Sequence, residues 1–240
     1  MFNNNYTRVP TQNFSELGLD ETFSNVLRRV YVWMALGLLV TAGVAAFVSV
    51  SPLSQVLAGQ PLIFFALLIV ELGLVVGLSW GINRISPATA TLLFFAYAVL
   101  NGLTFSVLFL VYTLGSVATT FLATGALFGA MSIIGYTTKM DLSKVGSFLF
   151  MGLIGLIIAM LVNMFWANTA LSWIVTFAGI LLFLGLTIYD TQRIKRMTAA
   201  ALQQGDENIQ ARMGILGALA LYLDFINLFL FILRLGGQRR

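Results

Sequence analysis

Long apolar runs alternate with short polar connectors along the chain, and they leave little sequence from which a water-facing surface could be built. The runs lie at Val30 to Val50, Leu62 to Trp80, Thr89 to Tyr112, Ser116 to Tyr136, Val145 to Phe165, Leu171 to Tyr189 and Met213 to Leu233. Each has about 20 residues, enough to cross ~30 Å of hydrocarbon at ~1.5 Å of helical rise per residue. Continuous apolarity, rather than alternation with period two, selects helices over barrel strands. The pattern predicts an all-α, polytopic membrane domain over residues 30–240. Residues 1–29 are polar, with Asn3, Asn4, Asn5, Gln12, Glu16, Asp20 and Glu21, and read as a tail without an apolar signal core. The longest connector, Asp190 to Arg212, is polar and is expected to carry the sixth helix on into water.

Composition agrees: 59% of the 240 residues are hydrophobic and 9% charged, against roughly a quarter charged in a soluble domain. The absence of cysteine excludes disulfides and thiolate metal sites. Histidine is also absent, so any pH response near neutrality must rest on carboxylates in unusual surroundings.

The net charge of +4 reflects topology rather than a nucleic-acid partner, because the basic residues flank the spans. Arg8, Arg28, Arg29, Arg84, Lys139, Lys144, Arg193, Lys195, Arg196 and Arg212 all fall in the tail and the even-numbered loops. By the positive-inside rule the N-terminus is expected in the cytoplasm. Arg234, Arg239 and Arg240 oppose this assignment if the seventh segment spans. A six-span protein with a re-entrant last segment would remove the conflict.

An acidic side chain in hydrocarbon costs several kcal/mol unless it is protonated, paired or wetted, so each one calls for an explanation. Glu71 lies near the middle of the second segment, Asp224 near the middle of the seventh and Asp190 at the end of the sixth. Two carboxylates within a few ångströms share a proton at low pH and repel at high pH. When ionised they offer hard oxygen ligands suited to Ca²⁺. Counting from Met213 places Asp224 ~16 Å along its helix, whereas Asp190 follows directly on Tyr189. By that count, contact between the two aspartates requires a tilted seventh segment or one whose first turns stand above the membrane; Glu71 matches Asp224 better in depth, and Arg84 is the simplest ion-pair partner for Asp190.

Asn227, one turn past Asp224, and Asn101 with Thr104 on the third span form polar strips. These suit interhelical hydrogen bonds or the lining of an ion path. Gly73 with Gly77, and Gly125 with Gly129, form GxxxG pairs that predict close helix packing.

The stretch Ile188-Tyr-Asp-Thr-Gln-Arg-Ile194, followed by Ala218-Leu-Ala-Leu-Tyr-Leu-Asp-Phe-Ile-Asn-Leu-Phe229, resembles the Bax inhibitor-1 family, as does Gly135-Tyr-Thr-Thr-Lys-Met-Asp-Leu-Ser143. The likeness covers about residues 25–237 and is nearest to proteobacterial inner-membrane members. It implies seven transmembrane helices with a central C-terminal helix, and residence in a bacterial inner membrane. It also implies a pH-sensitive Ca²⁺ leak channel whose sensor maps to Asp190 and Asp224, with Arg84 as the basic partner and Glu71 matched only in some members. The expected partners are the bilayer, Ca²⁺ as transported ion, and protons, with no other cofactor. The alternative implied role is a non-conducting regulator that binds a membrane protease or a stress-response protein. Tyr189-Asp190 also echoes intramembrane aspartyl proteases, but Asp224 follows Leu-Tyr-Leu rather than Gly-x-Gly, so no enzyme is expected.

Overall fold

A computed structural model describes residues 20–204 and 206–240 of the chain, and the expected polar tail lies outside the described residues as far as position 19. In order, the helices are α1 (Asp20–Ser49), α2 (Pro52–Gly59), α3 (Pro61–Gly81), α4 (Pro87–Ser106), α5 (Leu108–Val111), α6 (Leu114–Thr137), α7 (Ser143–Phe165), α8 (Thr169–Gln204) and α9 (Glu207–Gly236). Among the described residues, seven stretches are long and apolar enough to cross a membrane, the third of them running through α4 and α5. The all-α polytopic architecture follows from this, because a helix satisfies every backbone group within its own segment.

Local chemistry sets several boundaries. Proline opens α2, α3 and α4 at a position where the missing N–H is not needed. Ser86 Oγ caps α4 by accepting from the Thr89 backbone N–H at 3.1 Å. Three boundaries differ from those the apolar runs suggest. α1 starts at Asp20 rather than near residue 30, because Val26, Leu27 and Val30 form a buried stripe that carries the helix back into polar sequence. The short helix α2 fills the first connector, and α8 runs on to Gln204, so the polar connector after Asp190 is largely helix.

The described residues fall into two compact units, Met1–Val111 with Ile194–Tyr222, and Tyr112–Arg193 with Leu223–Arg240. In the first, α1 and α4 run parallel in close contact. A Cβ on Gly37 would strike Phe94, and one on Gly102 would strike Val44 and the Thr41 carbonyl. Thr41 Oγ1 donates to Ala98 O at 2.8 Å and lies 2.6 Å from the hydroxyl of fully buried Tyr222.

In the second unit α6 and α8 both run antiparallel to α9. Phe121 meets Phe225 and Phe229 while Phe128 meets Phe225, so rising numbers on α6 meet falling numbers on α9. Phe183 stacks on Phe231 with ring centroids 5.9 Å apart, and Arg234 Nη2 donates to Ser172 Oγ at 3.1 Å near the start of α8. The chain after α9 then ties itself to the connector that follows the third span. Thr113 N donates to Gln238 O at 3.1 Å, and Gln238 N donates to Ser116 Oγ at 2.9 Å. A helix antiparallel to the fourth and sixth spans that ends beside the third connector has crossed the membrane. The seventh segment therefore spans, and Arg234, Arg239 and Arg240 share an end with the third and fifth connectors.

The GxxxG expectation fails. A Cβ on Gly73, Gly77, Gly125 or Gly129 would meet nothing within 4 Å, because these residues face away from neighbouring helices.

Candidate functional site

The stack of Phe183 on Phe231 fixes the register between α8 and α9. Seven residues on from Phe183 is Asp190, and seven back from Phe231 is Asp224. Seven residues make about two helical turns, so on antiparallel helices both steps lead the same distance in the same direction and keep to the same face. The stripe Phe183, Thr187, Asp190 on α8 thus faces Phe231, Leu228, Asp224 on α9. Asp190 lies within electrostatic reach of Asp224.

The two acids differ in their surroundings. Asp224 is 4% exposed, and its Oδ2 has no hydrogen-bond partner. Asp190 is partly buried and pairs with Arg193, one turn later on α8, at Oδ1 to Nη1 3.7 Å. Arg193 reaches open surroundings, with 44% of its side chain exposed against 13% for Asp190. Asp190 thus has an ion-pair partner on its own helix. Arg84 is exposed in the turn after α3, in the first unit.

α9 begins at Glu207, so its first turns precede the apolar run, which is one of the two conditions under which Asp224 can come level with Asp190. The other sequence candidates are distributed as follows. Glu71 is buried in the first unit, where Thr104 Oγ1 lies 3.1 Å from Glu71 Oε1 and 2.9 Å from Asn101 O as donor. Asn101 Nδ2 donates to Tyr97 O at 3.1 Å, and Asn227 Nδ2 to Leu223 O at 2.8 Å, so both amide donors serve their own helices. Among the described residues no group of three or more carboxylates comes together around a metal position.

One residue of the site escaped notice in the sequence. Gln192, two residues beyond Asp190, donates from Nε2 to Met140 O at 2.6 Å and accepts at Oε1 from the Leu142 backbone N–H at 3.1 Å. It clamps the connector between α6 and α7 to the stretch of α8 that carries Asp190. Gln192→Leu keeps the bulk but strands two backbone groups, at a cost of about 1–3 kcal/mol. Limited proteolysis in detergent should then cut residues 138–142 faster than in the wild type, and an unchanged rate would show that the clamp holds nothing.

A family model described as "Inhibitor of apoptosis-promoting Bax1" matches residues 23–240. The chain belongs to the Bax inhibitor-1 family. Among its relatives, the inner membrane protein YbhL of Escherichia coli K12 is 47% identical over 215 residues, covering 89% of this chain and 92% of YbhL. A Borreliella burgdorferi protein is 42% identical over 231 residues, covering 96% of this chain and 97% of its own. The Rickettsia prowazekii protein RP147 is 42% identical over 240 residues, covering 98% of each chain. In this Bax inhibitor-1 family member, residues 188–193 with Asp190 and residues 223–229 with Asp224 both belong to the second unit.

Proposed function

We propose that the protein is a Ca²⁺-permeable leak pathway of a bacterial inner membrane, gated by proton occupancy of Asp190 and Asp224. The observation that carries the reading is the register of α8 and α9, which sets two carboxylates at one level with Asp224 almost wholly enclosed. With one proton between them, the pair can share it in a hydrogen bond and hold the helices together. With none, two negative charges repel and the seam loosens. Arg193 is the competing partner that draws Asp190 toward the helix end.

Ca²⁺ takes six to eight oxygen ligands, and two carboxylates supply at most four. The pair therefore suits a passing ion rather than a resident one, since conduction needs a site weak enough to release its cargo.

Purified protein in Ca²⁺-loaded vesicles should leak at a rate that changes between about pH 6 and 8. Asp190→Asn and Asp224→Asn should each flatten that dependence. A leak whose pH profile ignores both changes, or vesicles that hold Ca²⁺ at every pH, would overturn the proposal. The second result would favour a non-conducting regulator.

A further inference from the structure

Among the described residues of the second unit, two buried side-chain oxygens have no hydrogen-bond partner within the chain: Asp224 Oδ2 on α9 and Ser132 Oγ on α6. Ser132 is 7% exposed and Asp224 4%, so bulk water reaches neither. Their elements are already in register. Phe128, one turn before Ser132 on the same face, packs on Phe225 next to Asp224, with ring centroids 5.5 Å apart. Gly135, just under one turn after Ser132, is pressed against Ile188 and Thr191, which flank Asp190 on α8. Ser132 thus stands between the contact of α6 with α9 and the contact of α6 with α8, at the level of the acids.

The charged groups of this neighbourhood are Asp190 and Arg193 on α8 and Asp224 on α9, whereas α6 carries no acidic or basic side chain from Leu114 to Thr137. Thr124, two turns away on the same α6 face, spends its hydroxyl on Thr120 O at 2.8 Å. Ser132 is left as the polar group that α6 turns to the acids.

We infer that Ser132 is a positioning residue of the acid pair, its hydroxyl and Asp224 Oδ2 jointly holding one ordered water between α6 and α9. A buried water makes about three hydrogen bonds to groups that would otherwise be orphaned. A hydroxyl that can donate or accept and a carboxylate oxygen that accepts are compatible ends for such a bridge. The water gives Asp224 a polar contact that lasts when the proton shared with Asp190 leaves, and it offers that proton a first step away from the pair. The inference rests on the acid pair acting as a proton site, but not on conduction of Ca²⁺.

The test is infrared difference spectroscopy between acidic and alkaline states of the purified full-length protein, in ordinary and ¹⁸O-labelled water. Wild type and Ser132→Thr should show an internal-water O–H stretch that moves with the ¹⁸O label. Ser132→Ala and Asp224→Asn should both lose it. A wild-type spectrum with no label-sensitive band would overturn the inference without any variant having to fold, and so would a band that survives Ser132→Ala. Because the readout is the water and not flux, vesicles that fail to leak Ca²⁺ would sink the channel proposal and leave this result standing.

Discussion

Gly135→Val should be among the most damaging single substitutions in the second unit, with a stability loss at or above the ~1–3 kcal/mol usual for overpacking. A Cβ at Gly135 would lie 2.5 Å from Ile188 O and 3.0 Å from Ile188 Cα, and both atoms are backbone of α8. Neither can rotate aside, so α6 and α8 must separate at the level of Asp190. Alanine at the same position should cost less, because the ~1 kcal/mol that glycine forfeits inside a helix is recovered against the clash. Gly152→Ala is the control, since its Cβ would meet only Leu182 Cδ1, at 3.0 Å. The end of a leucine side chain can turn to another rotamer, so this change should be nearly neutral. Thermal midpoints of the purified variants in one detergent should rank Gly152→Ala above Gly135→Ala above Gly135→Val. Equal midpoints would mean that the α6 to α8 seam is soft enough to absorb a side chain.

The contrast between these glycines shows which parts of the fold the sequence discloses. Spans are legible because hydrocarbon forces each segment to satisfy its own backbone, and a run of twenty apolar residues has few other fates. Contacts between spans are less legible, because lipid is as apolar as leucine and no hydrophobic stripe marks the buried face. The GxxxG pairs on α3 and α6 therefore pointed to open surfaces, while Gly135, Gly146 and Gly179, outside any GxxxG pair, are the ones pressed against α8 or α9.

The acids could be recognised as candidates because a carboxylate within an apolar run is unusual whatever it touches. Their mutual register could not be read, since it depends on where α9 begins and on the stack of Phe183 with Phe231. Arg193 was within reach of inspection, as it stands one helical turn after Asp190. Ser132 and Gln192 gave no signal, since a serine in a span is common and Gln192 acts through the backbone of a distant connector.

Asp224→Leu should make the protein more stable and deaf to pH. The carboxylate is buried, and its Oδ2 goes without a hydrogen bond from the chain. Even where a water and a shared proton supply its hydrogen bonds, burying the carboxylate carries a desolvation cost, and replacing buried charge by apolar bulk is often stabilising. The neighbours of residue 224 are suited to leucine, with Leu221, Phe225 and Leu228 all buried on the same helix. Asp224→Asn should gain less, because the amide matches the shape but brings donors that also need partners. Asp190→Asn should change stability little, since Arg193, its partner, is 44% exposed and such pairs contribute weakly. The thermal midpoint should therefore rise most for Asp224→Leu, in the variant that has lost all pH dependence of flux. A fold that holds a buried acid at a net cost in stability keeps it for another reason. A lower midpoint for Asp224→Leu would mean instead that the carboxylate with its water and shared proton contributes net stability to the core, and the case for an acid kept here as a gate would lose its physical footing.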